Sequence, residues 1–392
     1  MRSVKLGTLV SISGGGTPDR SNEAYWGGDI PWVSVKDFKS LEIHGALEHI
    51  TTEGLDSSAT NLIPAGTIIV PTRMALGKAA INTKPVAINQ DLKALRVLDE
   101  SEVDRDYLFR FLLSKASFLE SRGKGATVKG ITLDVLRDLD VPLPNPQQQR
   151  RIAAILEQAD NLHRKRRDAI RIADDLLRAA YLEISSTSCE RVSIESLLAD
   201  IPNAVRTGPF GSQLLVSEFT NSGIPVLGID NVVSNSFKWG ARRYVSPEKY
   251  EQLARFTVRP GDVIISIMGT TGRVAVAPED LPLCISTKHL CTLSLNREQM
   301  CPEYLWACLR WDPAVKRQSK TEAKGAIMEG WNMGIVKKLL VSKPKLAVQE
   351  KFVAQLQRVN NFKHVTGEAS EETSALLASL EASFFGGYTS EI

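Results

Sequence analysis

The feature that most limits the fold of this chain is that it is written twice. The segment NLIPAGTIIVPTRMALGKAAI (61–81) aligns without a gap to FTVRPGDVIISIMGTTGRVAV (256–276), so Gly66 falls on Gly261 and Gly77 on Gly272. Upstream, GDIPWVSVKD matches SGIPVLGIDN; downstream, DYLFRFLLS matches EYLWACLRW. Further on, GATVKGITLDVLRDLDVPLPNPQQQRRIAAIL (125–156) matches GAIMEGWNMGIVKKLLVSKPKLAVQEKFVAQL (325–356). That block sets Gly125, Gly130, Pro144, Gln149 and Leu156 opposite Gly325, Gly330, Pro344, Gln349 and Leu356. Four blocks in one order make a tandem pseudo-repeat of roughly 195 residues.

Each half follows one plan. A globular portion (1–144 and 189–344) alternates short β-like runs, such as GTIIVP and GDVIISI, with glycine-rich turns. A proline-containing boundary then gives way to a helix of nearly forty residues, in segments 145–188 and 345–392. Pro146 suits the first turn of such a helix, where its missing N–H costs nothing. In the first helix Ile152, Ile155, Ala159, Leu162, Ala169, Ala173, Leu176 and Ala180 follow the three–four spacing of a seam, with Arg166 as an exception. In the second, Phe352, Val359, Phe362, Ala369, Leu376 and Leu380 keep that phase, interrupted by Gln355, Thr366 and Thr373. A seam of that length needs a partner helix. The fold class expected is therefore α+β: two globular α/β units separated by two long antiparallel, coiled-coil-like helices and related by a pseudo-two-fold. Gly367, inside the second helix, costs about 1 kcal/mol relative to Ala and is a candidate kink.

With 392 residues, 43% hydrophobic and 24% charged, the chain has the composition of an ordinary globular protein of two or three domains. No apolar run approaches the ~18 residues of a membrane span, and the start lacks the pattern of a signal peptide. A cytoplasmic location is the default expectation. A net charge of +3 permits a nucleic-acid partner without arguing for one. The five cysteines (Cys189, Cys284, Cys291, Cys301, Cys308) all lie in the second half. Their spacing is too wide for a structural zinc site, and they read as buried free thiols with no metal.

Catalytic signatures are missing. SGGGTP and MGTTGR are glycine-rich, but neither ends in the Lys-Ser/Thr of a phosphate-binding loop. No G-x-S-x-G or H-E-x-x-H occurs, nor an Asn/Asp-Pro-Pro-aromatic stretch for gripping an extruded base. The expectation is a recognition scaffold with no catalytic residue and no cofactor of its own.

Two similar units on a spacer suit the reading of two sites at fixed separation. Readout should then lie where the halves diverge, in 36–60 and 230–255. Basic residues sit in or beside the glycine-rich turns: Arg73, Lys78, Lys124 and Lys129 in the first half, Arg206, Arg273, Lys320 and Lys324 in the second. Glycine lets backbone approach phosphate closely, and the cations supply salt-dependent affinity. In the loop TGPFGSQ and beyond, Gln213, Arg242 and Arg243 are candidates for base edges.

The residues GGDIPWVSVKDF, TGPFGS and, most specifically, VPLPNPQQQRRIAAILEQAD resemble those of Type I restriction–modification specificity subunits, along essentially the whole chain. The resemblance implies that the globular units are target-recognition domains reading a bipartite sequence in double-stranded DNA. It implies that Ile152, Ile155, Leu162, Leu176, Phe352, Val359, Phe362 and Leu376 form the spacer and partner-facing helices. It further implies docking of two modification subunits, which carry the S-adenosylmethionine and methylate adenine, in an assembly that can add translocating restriction subunits. The second junction, VSKPKLAVQEKF, departs from the pattern: Glu350 stands opposite Arg150 and Phe352 opposite Ile152.

Overall fold

The computed structural model describes residues 2–125, 127–186, 190–323 and 330–386. The chain divides into two compact units, one made of Met1–Arg167 with Glu368–Ile392 and the other of Asp168–Gly367.

In the first unit, strand Ile68–Pro71 lies inside a sheet ordered Val10–Gly14, Leu92–Val97, Ile68–Pro71, Ala80–Asn82, Glu42–Ile43. Its apolar run is buried on both faces, as an interior strand requires. Because side chains alternate across a strand, Ile68 and Val70 join one core with Leu95 and Tyr107, while Ile69 joins a second with Ala80 and Ile88. A second sheet runs Glu48–Ile50, Trp26–Val33, Val86–Ile88, Leu62–Ile63, with the Trp26–Val33 and Val86–Ile88 pair parallel.

The second unit repeats this plan strand for strand. One sheet is ordered Val205–Thr207, Leu290–Leu293, Val263–Ser266, Val274–Val276, and the other Tyr244–Val245, Ile224–Leu227, Cys284–Ser286, Thr257–Val258, again with its middle pair parallel. Val263 and Ile265 face one core, Ile264 the other. Among the described residues, the one strand of these sheets without a counterpart is Glu42–Ile43, inside the stretch where the two halves diverge.

Each unit ends in a short ladder that leads into a long helix. Arg2–Lys5 pairs with Asp140–Leu143, and Glu190–Ser193 with Leu340–Lys343. The helices then run Pro146–Ser186 and Leu346–Phe385. In the first turn of each, a fully buried glutamine ties helix to body. Gln149 accepts from the Asp104 N–H at 2.8 Å and donates to the carbonyls of Glu102 and Pro144, both at 2.9 Å. Gln349 accepts from the Cys301 N–H at 2.9 Å and donates to Gln299 and Pro344 at 3.1 and 2.9 Å.

Each unit also contains the far half of one helix, residues 168–186 in the second unit and 368–385 in the first. In the first unit Phe385 stacks on Tyr107 and Phe111 at 5.5 and 5.7 Å. In the second, Tyr181 packs on Tyr304, Trp311 and Phe352, and its hydroxyl donates to Asp312 at 3.0 Å. Within each unit the two half-helices are antiparallel. His163 meets Ser370 and Ser374 in the first, and Asp174 pairs with Lys363 at 2.8 Å in the second.

The seam differs in part from the apolar pattern. Ile152 and Phe352 are buried, Val359 packs against the core, and Leu156, Ala173, Leu177 and Tyr181 share the inner face. Leu162, Leu176, Phe362 and Leu376, assigned to the seam from sequence, are 45%, 65%, 45% and 56% exposed. The inner positions they were expected to fill are partly polar, so counting apolar residues shifted the stripe around the helix. Arg166, the exception in one helix, donates to the Ala369 carbonyl and to Thr373, an interruption in the other. The second helix continues through Gly367, where a Cβ would meet nothing within 4 Å.

Among the described residues no helix is long and apolar enough to cross a membrane, and no cluster of ligating side chains could hold a metal. Cys284, Cys291 and Cys308 are buried free thiols, each pushed up to about 12 by burial; half-buried Cys301 is pushed to about 11. Cys189 lies outside the described residues.

Thiol titration at pH 8 should therefore leave Cys284, Cys291 and Cys308 unreacted in the native protein and reach all five cysteines in denaturant. Replacing Gln149 with Leu strands one buried donor and two acceptors. It should cost about 2–3 kcal/mol in urea unfolding, whereas exposed Gln148→Leu should change little.

Candidate nucleic-acid interface

In the first unit, strand Ile68–Pro71 runs into a turn fixed from both sides. The Thr72 N–H donates to Asp91 O at 2.7 Å, and Thr72 O accepts from the Ile131 N–H at 2.9 Å. The Met74 N–H donates to Lys129 O at 3.1 Å, and the 124–130 turn closes on itself through two 2.9 Å bonds between Lys124 and Gly130. These backbone bonds gather Arg73, Lys124 and Lys129, far apart in sequence, beside one loop, all with exposed side chains. Arg73 approaches Asp91 at 3.9 Å while keeping its side chain 64% exposed. Lys93, which the sequence did not single out, joins the group: burial lowers its ammonium from the usual value, Asp91 opposes that shift and Arg73 reinforces it. Lys78 reaches back to Phe38 O at 3.4 Å. Gly77 is required twice over, since its φ is +81° and a Cβ would lie 2.8 Å from the Ala116 backbone.

The second unit builds the same frame. Trp331 N–H donates to Ile267 O at 2.8 Å, as Ile131 does to Thr72. The matched positions share their left-handed backbone: Gly66 and Gly261 at +79° and +74°, Gly77 and Gly272 at +81° and +83°. Arg273, opposite Lys78 in the repeat, is exposed on a cleft that it shares with Arg310, Lys316, Thr270 and Trp331. Arg310 lies over the rings of Trp306 and Trp311 at 4.9 and 5.2 Å, a stacked and stiffened cation. Sequence reasoning passed over Arg310 and Lys316. The available signal was that Lys316 and Lys320 stand four apart in one helix, Pro313–Ala323. Lys320 lies in that helix, but its side chain, like the whole of Lys324, is outside the described residues.

A second cleft of the same unit is lined by Trp239, Arg242, Arg243, Tyr244 and Pro282. Arg242 is exposed, and Arg243 is held by Asp230 at 2.8 Å. Burial, with Lys288 and Arg243 nearby, lowers the His289 imidazole from its usual value. Gln213 folds back on its own loop, accepting from the Phe210 N–H at 3.1 Å, while remaining exposed.

One expected cation is not at the surface. Arg206 is 4% exposed; its guanidinium pairs with Asp262 and donates to Thr257 O at 2.6 Å, Asn203 O at 2.9 Å and Ser294 Oγ at 3.0 Å. Burial pushes the Asp262 carboxyl up and the Arg206 guanidinium down, and their mutual attraction opposes both shifts. Arg206 holds strand to loop and has no donor face left for DNA. From the sequence it looked like any other basic residue near a glycine turn, because its buried partner lies 56 residues away.

Residues 1–171 match the family model of the Type I restriction modification DNA specificity domain. The chain is 26% identical over 249 residues to the Type I restriction enzyme MjaIX specificity subunit of Methanocaldococcus jannaschii, covering 58% of this chain and 57% of that one. It is 33% identical over 164 residues to the EcoR124I/EcoR124II specificity subunit of Escherichia coli, covering 40% of each. The chain is thus similar to Type I restriction–modification specificity subunits, with the match to their DNA specificity domain lying in its first 171 residues. It spans about half the length of the curated relatives it matches. In fold it is similar to the S subunit of a Type I restriction-modification system from M. genitalium, with a TM-score of 0.64 at 14% identity over 99% of this chain and 96% of that one. A chain from a Type I system assembly gives a TM-score of 0.57 at 18% identity, over 98% and 97%. The family model stops at 171, but the specificity-subunit fold extends over the second half, where the same strand order and turn geometry recur.

Arg206→Ala should leave Asp262 buried and unpaired, costing about 3–5 kcal/mol in urea unfolding. Arg273→Ala, at the exposed matching turn, should stay within about 0.5 kcal/mol of the parent.

Proposed function

We propose that this chain is the non-catalytic DNA-recognition subunit of a Type I restriction–modification complex, reading a bipartite target with one short block per unit. The observation that carries the reading is that one turn framework is built twice, while among the described residues the exposed cations beside it differ: Arg73 and Lys129 in one unit, Arg273, Arg310 and Lys316 in the other. A shared frame with unlike side chains suits two half-sites of unlike sequence. The cations bind phosphate and set register, and discrimination comes from groups that reach base edges.

Docking of two modification subunits is the second part of the proposal. The long helices expose large apolar side chains away from their seam: Ile172 and Leu176, one turn apart, and Phe362 and Val365 in the other helix, at 50%, 65%, 45% and 60% exposure. Apolar surface left in water on a helix is typical of a site that another protein covers. S-adenosylmethionine and the methyl transfer belong to those partners, and restriction subunits join the same assembly. The complex acts on double-stranded DNA in the cytoplasm.

The test is co-expression with the neighbouring modification subunit, followed by mapping of methylated adenine in host DNA. A two-block motif with a fixed gap, lost when this chain is omitted, is the expected result; a stable complex that adds no methylation counts against the reading. In the same complex, Lys124→Ala with Lys129→Ala should flatten the salt dependence of DNA binding by about two units of log–log slope, weakening all sequences alike. Arg73→Ala should weaken modification through one block only.

A further inference from the structure

Met74 stands at the tip of the first unit's basic turn in a conformation that the folded chain does not reward. Its φ is +67°, one of three positive-φ non-glycine residues among those described. The Ala75 N–H donates to Arg73 O at 2.8 Å across it, closing a three-residue turn with a left-handed centre. Such turns are rare and strained for an L-residue, and Met lacks the short polar side chain that lets Asn or Asp tolerate them. The side chain gains nothing from packing in return, since Met74 is 64% exposed. At the matching position of the second unit φ is also positive, +74°, and the residue is Gly269. A Cβ there would lie 3.3 Å from Ile229 Cδ1. The second unit meets its positive φ with glycine, the residue that adopts it without strain, whereas the first unit places methionine there.

Strain without packing at an exposed tip points to a role outside the folded chain. The neighbours indicate the partner: Arg73 precedes Met74, Lys129 accepts its N–H through its carbonyl, and Lys124 and Lys93 lie in the same group. Cations set on the same turn framework as an exposed apolar group suit a surface of phosphates with apolar base surface between them, rather than the apolar face of another protein.

We infer that Met74 is a specificity-determining residue, making an apolar contact to the bases of the half-site read by the first unit, with no counterpart in the second. The inference rests on the proposed DNA-reading function. Its chemistry is that of a thymine methyl or of an opened base step, both of which an unbranched thioether side chain can cover.

The experiment compares methylation motifs made by the complete complex of this chain with its modification subunit, for the parent, M74G and M74N. Both replacements suit a left-handed backbone. Either should leave the thermal midpoint unchanged or raise it by about a degree or two, whereas a packing role would lower it. Both should relax one position of a single block, raising methylation of the mismatched site about tenfold relative to the cognate one, while the other block stays fixed. Replacing thymine by uracil in that block should reproduce the loss if the methyl is read, and leave it intact if a base step is opened. An unchanged motif in both variants overturns the inference. So does weakened complex assembly in which the remaining complex keeps an unchanged motif, which would make Met74 a protein contact. A parent complex that yields no two-block motif overturns the DNA-reading function and the inference with it.

Discussion

Two glutamines decide how this chain is put together. A long helix that leaves a globular body through a proline boundary could swing on that junction. Gln149 and Gln349 remove the freedom by lying fully buried and using both ends of the amide, with one oxygen on a loop N–H and one nitrogen on two carbonyls. The two carbonyls come from opposite sides of the junction, a body loop and the residue two before the helix. Each such bond contributes only about 1 kcal/mol net, but breaking the set leaves buried groups unpaired, which costs more than the bonds themselves contribute. With the first turn fixed, the near half of each helix is held to its own body, while the far half has to bring a tyrosine or phenylalanine into a core. Tyr181 and Phe385 do so, each filling an aromatic cluster of the unit that its helix did not start from.

The pairing of those helices was legible in the sequence; which residues face inward was not. Hydrophobic periodicity found a seam, with Arg166 as its exception, but chose Leu162 and Leu176, which face water, over His163 and Leu177, which face inward. The reason is chemical. Polar seam residues satisfy each other here, with Arg166 on Thr373 and the Ala369 carbonyl, His163 between two serines, and Asp174 on Lys363. Each looks like a defect when one helix is read alone, and only the antiparallel register makes the pairs complementary. Polar seam pairs of this kind fix register where an all-leucine seam could slide.

The turn framework was far more legible, because it depends on backbone geometry that only certain residues allow. Gly66, Gly77, Gly261 and Gly272 aligned in the repeat, and all four hold a left-handed backbone. The cations around the turns were legible as types but not as roles. Arg73 and Arg206 are both arginines near a turn, yet one is 64% exposed along its side chain and the other is sealed against Asp262. What separates them is a carboxylate far away in sequence, and no local pattern reports it. Arg310 shows the reverse: it read as part of a helix, and stacking on two tryptophans from that helix holds its guanidinium beside Arg273.

These observations divide the chain by a physical rule. Where backbone groups bond backbone groups across the turn, as Thr72 with Ile131 and Ile267 with Trp331, the two units agree, since such bonds are indifferent to side chains. Where a side chain is largely exposed the units are free to differ, as Met74 does from Gly269. A protein that must present two unlike chemical faces from one fold can vary only the second class without disturbing the first. The strained methionine is the sharpest case, because the second unit meets its own positive φ with glycine.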